Sequence, residues 1–380
     1  MFYYTVPQSP IYHQISLEEL LTGNVAQAGL VRSNATNTRT TYQKYYDTNK
    51  FDLAKIYSLI ASLESFVERH IDLYHVTDRH SLYNSFKIPK HSGGLRQIDA
   101  PLPELKNALY ELKNILETEF GALYHTSAFA YVKGRDTIGS IKRHQANRSN
   151  WFLKTDLTDF FGSTTKEFVM AMLAQIFPFN LVCESERGRK ALADAIDLGF
   201  LNGGLPQGTP LSPMLTNLIM IPVDYKLANT LHSYNGQQFI YTRYADDMLI
   251  SSYGAFKFTD IVKLINDTLE SFGAPYRIKD KKTRYGSRSG ANWNLGVMLN
   301  KDNEITIGHE KKKTFRAMLT NYALDRKNRT EWPLEDVQHL QGLIAYYKMI
   351  EADYVEALIS SINSKRDVDI KALIKKDLSR

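Results

Sequence analysis

Two adjacent aspartates in the middle of an apolar run constrain this chain more than any other feature. They are Asp246 and Asp247 in QQFIYTRYADDMLISSY, residues 237–253. Phe239-Ile240-Tyr241 on one side and Met248-Leu249-Ile250 on the other read as two strands, joined in a hairpin at the acidic pair. Neighbouring carboxylates repel, and the fold carries that cost unless a cation neutralises them. Hard divalent cations such as Mg²⁺ favour carboxylate oxygens. A pair of aspartates at a turn also occurs simply as a solvated turn, so the pair alone leaves both readings open.

Two upstream segments bear on the choice. In FLKTDLTDFF, residues 152–161, Phe152 and Leu153 read as a buried strand with Asp156 at its end. An ionised carboxylate at the end of a core strand is costly unless paired or metal-bound. The plainer reading is a cap for a segment starting at Thr158. Between the acidic sites lies GLPQGTPLSP, residues 204–213. Its glycines and prolines make a constrained loop through which backbone can approach a ligand closely. Leu211, Met214, Leu215, Leu218, Ile219 and Leu227 then recur at helical spacing, with Pro213 tolerated in the first turn.

In this order, LKTDLTDFF, GLPQGTPLSP and YADD resemble the motifs of reverse transcriptases. IPKHSGGLRQIDAP (88–101) is similar to the finger segment of the bacterial enzymes, and SAFAYVKGRDTIGSIKRH (127–144) to their next block. Downstream, KKTRY (281–285) matches the motif that carries a lysine. LGVMLN (295–300) matches the primer-grip region, and LQGLIAYYKMIEADY (340–354) resembles the thumb. The resemblance implies an α+β, right-hand polymerase fold with fingers, palm and a helical thumb. The expected division is an N-terminal extension over 1–50 and fingers over 51–150. A palm over 151–285, a primer-grip region over 286–307 and a thumb over 308–380 follow.

The resemblance also implies roles. Asp156 and Asp246 would bridge two Mg²⁺ ions, with Mn²⁺ able to substitute. The Leu157 carbonyl would be a backbone ligand, and Asp247 would complete the acidic cluster. Nucleotidyl transfer needs cationic stabilisation of the transferred phosphoryl, and Arg96 matches the finger arginine that clamps the triphosphate. Lys90 is either a second such group or a solvated hairpin lysine. Lys282 matches the lysine that protonates pyrophosphate, although Lys281 beside it leaves the register open. Gln207 and Gly208 would line the nucleotide and template pocket, and Tyr244 would touch the primer terminus. Phe161 stands where the family places a bulky aromatic against the sugar 2′ position, which selects dNTPs. Phe160 is expected to point inward and Phe161 outward, provided the backbone stays extended. Asp159 reads as structural. Leu295 and Gly296 fall in the primer grip. Lys311, Lys312, Lys313 and Arg316 form a basic run that is either a solvated helix face or a surface for duplex phosphates.

Composition agrees with a nucleic-acid partner. The 380 residues carry a net charge of +6, with 23 Tyr and 18 Phe. The single cysteine, Cys183, rules out an internal disulfide and a cysteine-cluster zinc site. No apolar run of membrane-spanning length and no signal peptide is visible, so a cytoplasmic protein with no membrane partner is expected. Among family lineages, two retron signatures are altered. Ser140-Ile141-Lys142-Arg143-His144 and Asn294-Leu295-Gly296 keep only His144 and Gly296 of the retron patterns. A defence-associated bacterial enzyme copying a dedicated noncoding RNA into DNA is the first expectation. A divergent retron enzyme making RNA-linked DNA is the second. A catalytically idle RNA-binding scaffold is the alternative from another class. A homo-oligomer or an accessory protein is compatible with each.

Overall fold

The computed structural model describes residues 53–90, 93–117, 124–232, 234–288 and 296–379. The expected N-terminal extension and Leu295 lie outside the described residues. The architecture is α+β. Its central sheet has four strands in the order β4-β5-β3-β6: β3 is Trp151–Asp156, β4 Phe239–Tyr244, β5 Asp247–Ser252 and β6 Arg284–Ser287. The described residues divide into two compact units. One holds residues through Gly134 with Thr155–Met248 and Lys257–Thr283, and the other holds Arg135–Lys154, Leu249–Phe256 and residues from Arg284 onward.

In the first unit, periodicity predicts a helix across 51–75. It forms as Leu53–Arg69 followed by a short turn of helix, Ile71–Tyr74. Ile56, Leu59, Ile60, Leu63 and Phe66 are buried, whereas Ile71, expected on the same stripe, is 41% exposed because the helix breaks before it. Helix Pro103–Glu117 starts on proline, whose fixed φ suits the first helical position. It buries Leu105, Ala108, Leu109, Leu112 and Leu116, one face of a 3.6-residue repeat. Between these helices the expected hairpin forms from β1 (Tyr83–Pro89) and β2 (Leu95–Pro101), with Ile88 opposite Arg96. Lys90 N–H bonds the Gly94 carbonyl at 2.9 Å, and Gly93 and Gly94 take the positive φ that this turn requires.

The apolar residues at helical spacing from Leu211 to Leu227 fall in two consecutive helices, Leu211–Ile219 and Ile221–His232. Cys183 is buried and free, and burial pushes its thiol up to about 11, so it packs as a small apolar group.

The second unit is mostly helical, as expected after residue 307. Helices His309–Lys327, Leu334–Ile350, Ala352–Arg366 and Ile370–Leu378 share one core, built on Phe315, Leu319, Tyr322, Leu340 and Ile359. Asp377 ties the last helix to the first: it accepts from the Tyr322 hydroxyl at 2.7 Å and from Arg326 at 2.8 Å. His144 lies fully buried in this unit. Its Nδ1 is 2.5 Å from the Ser251 hydroxyl, which donates to Ser149. Burial, aided by Arg143, lowers His144 to about 3, so it is a neutral core group.

Candidate active site

The end of β3 and the β4–β5 turn are joined by backbone. Asp156 is the last residue of β3 and is 5% exposed. Its carbonyl accepts from Lys279 N–H at 2.8 Å, and Thr158 N–H donates to the Arg277 carbonyl at 2.8 Å. The Leu157 N–H between them donates to the Asp246 carbonyl at 3.1 Å. These bonds set Asp156 and Asp246 side by side although ninety residues separate them in the chain. The turn itself needs Ala245 at φ +56°, a left-handed conformation that costs an alanine about 1 kcal/mol.

The electrostatics follow from that proximity. Burial lifts the Asp246 carboxyl from 3.8 to about 6; Asp156 and Asp247 add to the lift, and Lys282 opposes it. Lys282, not Lys281, reaches the pair: its Nζ donates to Asp156 Oδ2 at 2.6 Å. A buried carboxyl lifted in this way beside a second carboxylate forms a site that a cation relieves. The donors are oxygens, which suits a hard divalent ion. Among the described residues no three His, Cys, Asp or Glu side chains converge into a closed metal cage. A site of two carboxylates, a backbone carbonyl and a substrate's phosphates requires none.

The loop of residues 204–213 packs against the turns that follow β3 and against β2 with little tolerance. Leu205 N–H donates to the Phe161 carbonyl at 3.0 Å, and Asp99 N–H in β2 donates to the Gln207 carbonyl at 2.8 Å. A side chain on Gly204 would meet the Gly162 carbonyl at 2.0 Å. Gly208, at φ +119°, sits against Asp99 and Ile98. Ser212 closes the loop from within by donating to the Pro206 carbonyl at 2.8 Å.

Phe160 is buried against the Tyr276 ring, with centroids 4.8 Å apart, and Phe161 is half-buried beside it. The inward and outward sides are as expected, but the cause differs. The backbone does not stay extended: β3 ends at Asp156 and residues 158–163 form turns, with Asp159 at φ +43°. Asp159 is exposed, and its carbonyl accepts from the N–H and hydroxyl of Ser163.

Arg96 and Lys90 are exposed on the finger hairpin, and Tyr244 is half-buried at the end of β4. Arg96 shares one neighbour with the acidic pair. Burial, Asp246 and Tyr244 all raise the Tyr131 phenol, while Arg96 lowers it. Tyr131 was not among the residues singled out from sequence.

In the second unit, the four basic candidates of helix His309–Lys327 do not form one face. Lys311 Nζ donates to the Gly296 carbonyl at 3.1 Å, and Lys312 pairs with Glu351 at 2.5 Å and lies over the Tyr354 ring. Lys313 and Arg316 are exposed. The basic run is therefore split: Gly296 and Glu351, contributed by other segments, engage Lys311 and Lys312, while Lys313 and Arg316 stay in solvent.

Sequence reasoning also missed the support behind the turn. Arg243 in β4 is fully buried and makes a two-point pair with Asp224: Nε to Oδ1 at 2.9 Å and Nη2 to Oδ2 at 2.7 Å. Tyr241 donates to the same Asp224 at 2.7 Å. Arg243 Nη1 donates to Asn217 Oδ1 at 3.2 Å and to the Ala245 carbonyl at 3.1 Å. A lone arginine within the apolar run FIYTRY was the available signal, since a buried guanidinium needs a carboxylate.

Comparison with known proteins accords with this geometry. Residues 88–316 match the family model described as "Reverse transcriptase (RNA-dependent DNA polymerase)". The retron Ec83 reverse transcriptase of Escherichia coli is 27% identical over 73% of this chain and 85% of its own length. The retron Mx65 reverse transcriptase of Myxococcus xanthus is 29% identical over 77% of this chain and 67% of its own. These relatives fall on the retron side of the lineages weighed above. Among solved structures, telomerase from Candida albicans with a TWJ fragment of telomeric RNA aligns at 13% identity and a TM-score of 0.44. That alignment covers 83% of this chain and 64% of the telomerase chain. The family model spans more than half of the sequence and contains both aspartate motifs and the loop between them: the chain belongs to the reverse transcriptase family, the RNA-dependent DNA polymerases, and has that family's right-hand fold.

Proposed function

We propose that this chain is a retron-like RNA-directed DNA polymerase in which Asp156, Asp246 and the Leu157 carbonyl hold two Mg²⁺ ions, for which Mn²⁺ can substitute. The observation that carries the reading is the Leu157 N–H to Asp246 carbonyl bond at 3.1 Å. It fixes a carboxylate at the end of β3 beside one in the β4–β5 turn, with the Asp246 carboxyl lifted to about 6 by burial and by Asp156. The ions would supply Lewis acidity at the primer 3′-hydroxyl and at the leaving pyrophosphate.

The chain's own residues bind and orient around that chemistry. Arg96, with Lys90, binds the dNTP triphosphate from the finger hairpin. Gln207 and Gly208 line the nucleotide pocket, where a glycine lets the substrate approach backbone. Phe161 excludes the 2′-hydroxyl. Asp247 adds negative charge at the site, and Tyr244 supports the primer terminus. Lys282, at hydrogen-bond distance from Asp156, would give a proton to pyrophosphate. Lys313 and Arg316 hold the phosphates of the RNA–DNA product from the thumb.

The template is a dedicated noncoding RNA and the product is DNA, linked to RNA in the retron manner. The setting is bacterial antiphage defence in the cytoplasm. Among the described residues, no helix is long and apolar enough to cross a membrane. Primer extension on an RNA template with Mg²⁺ and dNTPs is the test. Asp246→Ala should abolish synthesis with its folded circular dichroism signal intact; normal extension by that variant would end the reading. Crosslinking in the native host should recover one structured RNA with matching DNA, and a transcriptome-wide profile would overturn the dedicated template.

A further inference from the structure

Tyr131 is an exposed aromatic in a conformation that an L-residue rarely adopts. Its φ is +58°, and 54% of the residue is exposed. For a bulky residue this is a genuine outlier. Such strain persists only where the surroundings over-determine it, and it gathers at functional sites.

The restraints are explicit. The Ser127 carbonyl accepts from Arg243 N–H at 2.7 Å, and Phe129 N–H donates to the Arg243 carbonyl at 2.8 Å. Asn217 Nδ2 donates to the Ala130 carbonyl at 2.7 Å. The same Asn217 accepts from the Arg243 guanidinium, which also holds the Ala245 carbonyl. The residue before Tyr131 and the residue before Asp246 therefore hang from one buried cage. Its effect is to hold an open ring next to a carbonyl that is tied to the same cage as the turn carrying Asp246.

We propose that Tyr131 is a substrate-contacting residue whose ring is a platform for the base of the primer-terminal nucleotide. The inference rests on the polymerase reading of the acidic site. A base fits this position better than a phosphate. The neighbouring carboxylates repel anions, the phenol is neutral at working pH, and every base offers a π-face to an aromatic ring irrespective of sequence. Arg96 already serves the phosphates nearby.

The experiment compares wild type, Tyr131→Phe, Tyr131→Ala and Tyr131→Gly in primer extension, with an intact primer and with a primer whose 3′-terminal nucleotide is abasic. On the intact primer, Tyr131→Phe should stay within about twofold of wild type. Tyr131→Ala and Tyr131→Gly should lose about tenfold in kcat/KM, the scale of one lost base stack. On the abasic primer the four proteins should converge, because the platform has nothing to support. Equal loss on both primers, no loss in Tyr131→Ala, or a Phe variant as poor as Ala would each overturn the proposal. Urea midpoints provide the structural control. Tyr131→Gly should be at least as stable as Tyr131→Ala, since only glycine adopts this φ without cost. A loss of stability in both variants relative to wild type, as large as that of a packed core aromatic cut to alanine, would mean that the ring is there for packing. Absence of wild-type extension on the intact primer is a separate result, and it would overturn the polymerase reading itself.

Discussion

Removing Asp224 should do more damage than its distance from any substrate suggests. Both members of the Arg243–Asp224 pair are fully buried, and their two hydrogen bonds measure 2.7 and 2.9 Å. Asp224→Ala leaves a guanidinium in the core without a counter-charge, which costs about 3–5 kcal/mol. The Tyr241 hydroxyl loses its acceptor at the same time, for about 1 kcal/mol more. A large part of a domain's stability of about 5–15 kcal/mol would go. The double variant Arg243→Met with Asp224→Leu removes both charges and fills similar volume. It should recover most of the lost stability, because apolar replacements of buried pairs are often neutral. Activity should not return with it, since nothing then holds the Ala245 carbonyl and the turn that presents Asp246. Urea denaturation of wild type, both single variants and the double variant gives the coupling energy, and primer extension on the same proteins gives the activity. A cost below about 1 kcal/mol for Asp224→Ala, or a double variant as active as wild type, would refute the reasoning.

Three further outcomes are expected. Because the folded state holds the Asp246 proton up to about 6 against 3.8 for the ordinary group, the stability from this carboxyl is full below pH 3.8 and lost by the time pH passes 6. The loss amounts to about 3 kcal/mol. Without divalent ions, Asp246→Asn should therefore be more stable than wild type at pH 8 and not at pH 4; an equal difference at the two pH values in urea melts would contradict this. Phe161→Val should raise the ratio of kcat/KM for an rNTP over its dNTP by about 10–100-fold. Gly204→Ala should shift the same ratio, since its new methyl displaces the Gly162 backbone beside Phe161, and an unmoved ratio in Phe161→Val places that ring in the core. Lys313→Ala and Arg316→Ala should each make the slope of log K for template–primer against log salt shallower by about 0.7–0.9. Lys312→Ala should not, because Lys312 is paired with Glu351.

The parts of the site that were legible in sequence are those that break a local rule. Asp246-Asp247 interrupts an apolar run, Asp156 ends a buried strand, and the glycines and prolines of 204–213 suit no regular element. Each stands out within ten residues of chain. The helices were legible for the opposite reason, because their apolar periodicity obeys the rule: Leu105, Leu109, Leu112 and Leu116 mark the buried face directly. What sequence hid depends on contacts across long stretches of chain. Nothing near Arg243 points to Asp224 or Asn217, and nothing near Tyr131 shows that its neighbours are bolted to β4. The two lysines that turn inward, Lys311 and Lys312, look the same in sequence as Lys313. Their fate is set by Gly296 and Glu351, contributed by other segments. The Phe161 side was anticipated from strand alternation, yet turns deliver it, so a correct side was reached through the wrong local geometry.

The hidden parts share one physical property. Ala245 is held at φ +56° and Tyr131 at φ +58°, both against their intrinsic preference. Asp246 is held against repulsion by Asp156. None of the three would persist in an isolated hairpin, where water would solvate the carboxylates and the turn would relax. The Arg243 cage makes them possible because it is itself fully buried and polar: moving the turn would leave a guanidinium hydrogen bond unmade in the core, at about 1–3 kcal/mol. That exceeds the cost of about 1 kcal/mol of one left-handed residue. The free energy that keeps the turn in place thus comes from beneath it, from the fully buried Arg243–Asp224 pair. Lys282 meets Asp156 alone, and in the proposed polymerase cations would neutralise what remains.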